Sequence, residues 1–137
     1  MRKMHVIRVL AIGFVVSMMA LAVPLGEIQK IFVGTIGGTD GDRFRLLLSI
    51  ELVKHGFAVV DKEIEADGVL AGAVTTFMVP APHANATMML KNASGVVLWQ
   101  ADIAPTTNFS IRDPLHSRAI DVAERIQKAC KKARIQK

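Results

Sequence analysis

Cysteine occurs once, at position 130, tyrosine not at all and tryptophan once in a chain of 137 residues. A single thiol leaves no internal disulfide to staple the fold, so stability must come from packing; a chain of this length buries roughly two thirds of its unfolded surface as one domain. Cys130 falls within a helical pattern and reads as a small buried hydrophobe, a reactive or intermolecular thiol being the alternative. The scarcity of aromatics excludes the basic stripe interleaved with aromatics that marks nucleic-acid binders, so no nucleic-acid partner is expected. Disorder is excluded as well, since 51% of the residues are apolar and 21% charged.

Long hydrophobic runs are scarce too, apart from one at the N-terminus. Arg2, Lys3 and Arg8 lead into VLAIGFVVSMMALAV, and Ala20-Leu21-Ala22 offers the small-x-small pattern of a signal-peptidase site. Residues 1–22 read as a secretory signal cleaved after Ala22, leaving Val23 at the head of a single exported domain, 23–137, in the periplasm or outside the cell. The apolar stretch Val9–Leu25 spans 17 residues, short of the ~20 that cross a bilayer; its retention as an inner-membrane anchor is the alternative. No cysteine stands at the cleavage point, which excludes a lipoprotein. Removing residues 1–22 takes away three basic residues and no acidic one, leaving 14 basic against 12 acidic and a charge of +2. The overall pI near 9.7 therefore overstates the basicity of the folded part.

What remains alternates between strand-like and helix-like segments. IFVGTIG, from Ile31, is β-branched and ends in glycines, which predicts a strand and a turn. Asp42–His55 predicts a helix, with Phe44, Leu47, Leu48 and Leu52 on one face and Leu46, Ile50 and Val53 widening its apolar side. Gly56 suits its C-terminal cap. FAVVD (57–61) predicts a second strand, parallel to the first through a crossover, and VLAGAVTTFMV (69–79) a third. PAPHAN (80–85) reads as a loop because proline cannot donate to a sheet ladder. Strands at 86–91 and 96–103 flank Asn92-Ala93-Ser94-Gly95, a hairpin turn. Asp113-Pro114, an N-cap followed by proline at the first helical position, opens a closing helix. Its buried face is Leu115, Ala119, Val122, Ala123, Ile126, Ala129, Cys130 and Ala133, with Asp121–Arg125 and Glu124–Lys128 as surface pairs.

The glycine-rich stretch VGTIGGTDGDRF (33–44) sits where a phosphate loop would, between a strand and a helix. A P-loop needs Lys and Ser or Thr directly after its last glycine, but Gly41 is followed by Asp42 and Arg43. The spacing of Gly34, Gly37, Gly38 and Gly41 also fails the dinucleotide fingerprint. Asp40 and Asp42 would repel a phosphate and read as an acidic cap on the helix. An EF-hand loop is excluded because the third oxygen ligand and the distal Glu are missing. His55, His83 and His116 lack zinc-ligand spacing, His83 being the one exposed by position. Ser49, Ser94, Ser110 and Ser117 form no nucleophile elbow, and Glu63, Glu65 and Asp67 read as a solvated acidic loop. No catalytic, cofactor or metal residue is assigned. After Glu124 there is no acid, and Arg125, Lys128, Lys131, Lys132 and Arg134 gather a positive surface that complements the helix dipole and is suited to weak contact with an anionic membrane. Asn85, Asn92 and Asn108 lie in N-x-S/T sequons.

HGFAVVD (55–61), ADGVLAGAV (66–74) and NASGVVLWQADI (92–103), in this order of elements, resemble a group of bacterial periplasmic modules. The group comprises the curli-secretion lipoprotein CsgG, the lipoprotein activators of penicillin-binding proteins and the N-terminal domain of TolB. The likeness covers most of residues 30–133. It departs where the group carries a further helix between its second and third strands, here replaced by Lys62–Gly68, and in lacking the acylated cysteine and the membrane-inserting segments of the curli pore. The resemblance implies assembly or regulation in the envelope and no catalytic residue.

The expectation is thus a single two-layer α+β domain, a mixed sheet of about five strands with two helices mainly on one face. Its expected function is a non-enzymatic exported envelope module binding a protein or polymer partner, without cofactor. The competing reading is a small ligand- or metal-dependent enzyme using the 37–42 loop and His83.

Overall fold

A computed structural model describes residues 23–79, 81–104 and 113–136. Residues 1–22, with Ala20 and Ala22 of the expected cleavage site, lie outside the described residues, as do Asn108 and Ser110; Val23 is the first one described.

The elements are a short 3-10 turn at Leu25–Glu27, β1 (Lys30–Gly37), α1 (Gly41–Lys54), β2 (Ala58–Val59), a second 3-10 turn (Glu63–Glu65), β3 (Gly68–Phe77), β4 (His83–Asn92), β5 (Val97–Ile103) and α2 (Pro114–Ile135). The strands form one mixed sheet in the order β2-β1-β3-β4-β5. β1 runs parallel to β2 and β3, while β3–β4 and β4–β5 are antiparallel. The α+β class, the five strands and the two helices agree with the sequence expectation.

Alternation along β4 shows how the sheet acquires one dry face. Ala84, Ala86, Met88 and Leu90 are buried, whereas Asn85 and Thr87 between them and Lys91 after them are exposed and Met89 is half-buried. In register with them stand Leu70 and Val74 of β3 and Ile103 of β5, and α1 and α2 lie side by side over this face. β1 breaks the period of two: Ile31 and Val33 are buried, and so is Ile36 three residues further on. A register shift between Val33 and Ile36 absorbs the extra residue and returns Ile36 to the core.

α1 ends as the sequence indicates. Gly56 has φ +95°, its N–H donates to Val53 O and the Phe57 N–H to Leu52 O, the paired bonds of a Schellman cap. At the start of α2, Asp113 Oδ1 accepts from the Leu115 N–H, and Pro114 follows at the first helical position. The β4–β5 turn is held by Asn92, whose Oδ1 accepts from the N–H groups of Ser94 and Val96, with Gly95 at φ +83°.

Four expectations are corrected. Residues 83–85 are strand, because Pro82 precedes the first ladder residue and costs the sheet no donor. Leu46, Ile50 and Val53 do not widen the buried side of α1; they are 63%, 46% and 58% exposed. Asp40 does not cap α1 with its side chain; its carboxylate accepts from the Thr76 hydroxyl at 2.9 Å. Asp121 pairs with Arg118, one turn back, at 3.0 Å, and among the described residues Arg125 and Lys128 form no ion pair.

Candidate interaction surfaces

The glycine loop is shaped by the sheet beneath it. A Cβ on Gly38, which also has φ +101°, would lie 1.9 Å from Val74 O, and one on Gly41 would lie 2.0 Å from Ile36 O. Both glycines let the loop fold down on the ends of β1 and β3. Asp40 is engaged by Thr76, Arg43 reaches Asp113 at the start of α2, and Asp42 is exposed. Two carboxylates thus stand at the amino end of α1, where the dipole favours negative charge that belongs to the protein over a bound anion.

The histidines are drawn into structural bonds. His83 belongs to β4, not a loop, and stacks on Phe77 with ring centroids 4.8 Å apart; its Nδ1 is 2.8 Å from Ala81 O. His55 Nδ1 lies 2.7 Å from Glu51 O, and His116 Nε2 lies 3.0 Å from Glu51 Oε1. Among the described residues no group of three or more His, Cys, Asp or Glu side chains could hold a metal. Glu63 and Glu65 are exposed, but Asp67 of the same acidic segment accepts from the backbone N–H groups of Gln29 and Lys30 at 3.0 and 2.9 Å, fixing the start of β1.

Two buried charges escaped the sequence reading. Glu51 lies 4% exposed between the helices, bonded to His116 and, at 3.3 Å, to Lys54. Burial pushes its carboxyl up, but the hydrogen bonds from His116 and Lys54 and the charge of both outweigh this and hold it below the usual carboxylate value. Arg118, 8% exposed, donates to Ala104 O at 2.9 Å and meets Asp121. Helical phase carried the signal for both: Glu51 lies three residues after Leu48, and Arg118 lies between Leu115 and Val122. Cys130 is buried, as expected, and burial raises its thiol above the ordinary value despite the nearby Arg134.

Beside α1 the surface is of another kind. Leu46, Ile50 and Val53 recur at helical spacing along its outer side, an exposed apolar stripe flanked by Arg43, Arg45, Ser49 and Lys54. Beneath this stripe β2 covers only the first residues of β1, and the N–H of Arg45 Nε donates to Val33 O at 2.8 Å along the uncovered edge. A groove of about 320 Å³ runs there, lined by Arg45, Leu46, Ser49, Val59 and Val60 among others. At the opposite edge Val96, just before β5, and Val97, its first residue, are exposed at 56% and 43%.

No protein-family model matches the chain, and no curated protein does. Among solved structures it is similar to the PelC dodecamer from Paraburkholderia phytofirmans in two crystal forms, one of them a point variant. Sequence identity is 20% and 19%, with TM-scores of 0.52 and 0.50, each over 80% of this chain and 90% of that one. A DUF4136 family protein from Bacteroides thetaiotaomicron matches over 83% of this chain and 89% of its own at 8% identity and a TM-score of 0.42. What the chain shares with PelC is the fold. Between β2 and β3 the described chain makes only the 3-10 turn Glu63–Glu65.

The cations of the last helix are on the surface. Arg125, Lys128, Lys131, Lys132 and Arg134 are all exposed. Among the described residues no helix is long and apolar enough to cross a membrane.

Proposed function

We propose that this chain is a non-enzymatic module of the cell envelope, exported by its N-terminal segment, that works by binding protein, including further copies of itself. The outward stripe of α1 carries the reading. A helix with Phe44, Leu48 and Leu52 turned into the core has no need of Leu46, Ile50 and Val53 on its other side, and such an exposed row, with Leu46 at the groove along the strand edge, suits a protein surface. Two likenesses support it: the order of elements resembles that of envelope assembly proteins, and the same fold occurs in a protein crystallised as a dodecamer. The two edges of the sheet differ, so contact of one copy's α1 edge with the next copy's β5 edge would be head-to-tail.

The test is chemical crosslinking of the chain in intact envelopes, followed by light scattering on the purified protein. Crosslinked products above the monomer mass, lost on Leu46→Glu with Val53→Glu, are expected. A chain that stays monomeric and crosslinks to nothing overturns the reading.

A further inference from the structure

The last three turns of α2 and the first described residues of the chain meet at one end of the molecule. Arg125, Lys128 and Lys132 follow one another at helical spacing, Lys131 and Ile135 lie beside them, and Ile135 is 83% exposed. The 3-10 turn Leu25–Glu27 lies against the same turns of α2: a Cβ on Gly26 would be 3.1 Å from Arg134 Cγ and 3.1 Å from Arg134 N. Val23 and Leu25 are half-buried against the core there. The turn brings the carboxylate of Glu27 to this end, Glu124 stands exposed one residue before Arg125, and Asp121, further up α2, is taken up by Arg118. The exposed Arg125, Lys128, Lys131, Lys132 and Arg134 outnumber the first two and leave this end positive. Val23 and Leu25, which end the sequence's apolar run, therefore lie beside this cationic surface.

We propose that this end of the molecule rests on an anionic phospholipid bilayer, with Arg125, Lys128, Lys131 and Lys132 over the headgroups and Ile135 in the interface. Charge complementarity selects an anionic partner, and each cation near such a surface strengthens binding by about fivefold. An exposed isoleucine among the cations selects a bilayer over a soluble acidic polymer, which offers an apolar side chain nothing. The surface is separate from the α1 stripe, so it stands whether or not the chain binds protein there.

The experiment is flotation of the full chain with vesicles of phosphatidylglycerol and phosphatidylcholine against vesicles of phosphatidylcholine alone, read as the ratio of the two partition coefficients. The neutral vesicles account for any binding through residues 1–22. A ratio well above ten is expected at ~0.1 M salt, declining steeply as salt shortens the screening length. Replacing Arg125, Lys128, Lys131 and Lys132 by Gln should lower it by about a hundredfold or more, or to near one where the starting ratio is smaller. All four side chains are exposed, so the fold should be kept, with the melting temperature lowered by at most a few degrees through lost helix-dipole stabilisation; the salt titration of the parent chain is a second reading that needs no variant. Ile135→Ser should weaken binding to anionic vesicles while leaving binding to dextran sulfate unchanged. A parent ratio near one, a ratio insensitive to salt or to the four substitutions, or dextran sulfate binding as tight as vesicle binding with no effect of Ile135→Ser overturns the proposal.

Discussion

Glu51 shows what one misplaced charge does in a small core. Its carboxylate joins α1 to His116 of α2 and is held below the ordinary value, so it binds its proton less readily folded than unfolded. The stability it contributes is fully present above the unfolded carboxylate range, near pH 4.3, and is lost as pH falls through the lower folded value. Glu51→Gln should flatten the acid limb of a stability-versus-pH curve below about pH 5. Glu51→Ala should cost about 2 kcal/mol at neutral pH by urea denaturation, the worth of hydrogen bonds to a charged group. Cys130 offers a complementary test. Buried, with its thiol raised, it should resist a thiol reagent in the folded protein and react fully in denaturant. Gly72 is a third site, opposite Met88 in the ladder: a Cβ there would lie 2.0 Å from Thr87 O. Gly72→Ala should lower stability by about 2 kcal/mol or more, because the obstacle is backbone and cannot rotate away.

At the scale of elements, α1 and β1 behave differently from their sequence patterns. Phe44, Leu48 and Leu52 announced the buried face of α1 correctly, and the Asp113-Pro114 start and Gly56 stop were legible because caps are local chemistry. The role of Leu46, Ile50 and Val53 was not, since period alone cannot tell an apolar residue that meets the sheet from one that meets solvent. Leu46→Glu with Val53→Glu should change thermal stability by less than about 0.5 kcal/mol, whereas Leu48→Ala should cost about 3 kcal/mol. In β1 the burial of both Val33 and Ile36 carried the bulge in plain view, as a lapse in alternation at Gly34-Thr35. Asp67 was hidden because its partners, the backbone of Gln29 and Lys30, lie far off in sequence. Asp67→Ala should destabilise by about 1–2 kcal/mol and increase hydrogen exchange at Lys30 first.

Taken whole, the molecule is a half-covered sheet. Two helices shelter one face, while the other presents Asn85, Thr87, Gln100 and Asp102 to solvent, and its two margins are unlike in shape and chemistry. Fold class was legible because strand and helix periods and the turn residues all agreed. The exposure of the α2 cations was legible because charge accumulates there in sequence, whereas the outward stripe of α1 was not, since a partner leaves no period in a sequence. The unlike margins have one more consequence. Were copies to join as proposed, α1 edge to β5 edge, a half-turn could not relate them, and each union would leave a vacant margin at either end of the row. The number of protomers is then fixed by the angle between neighbours: one that divides a full circle evenly yields a closed wheel, and any other yields a thread without end.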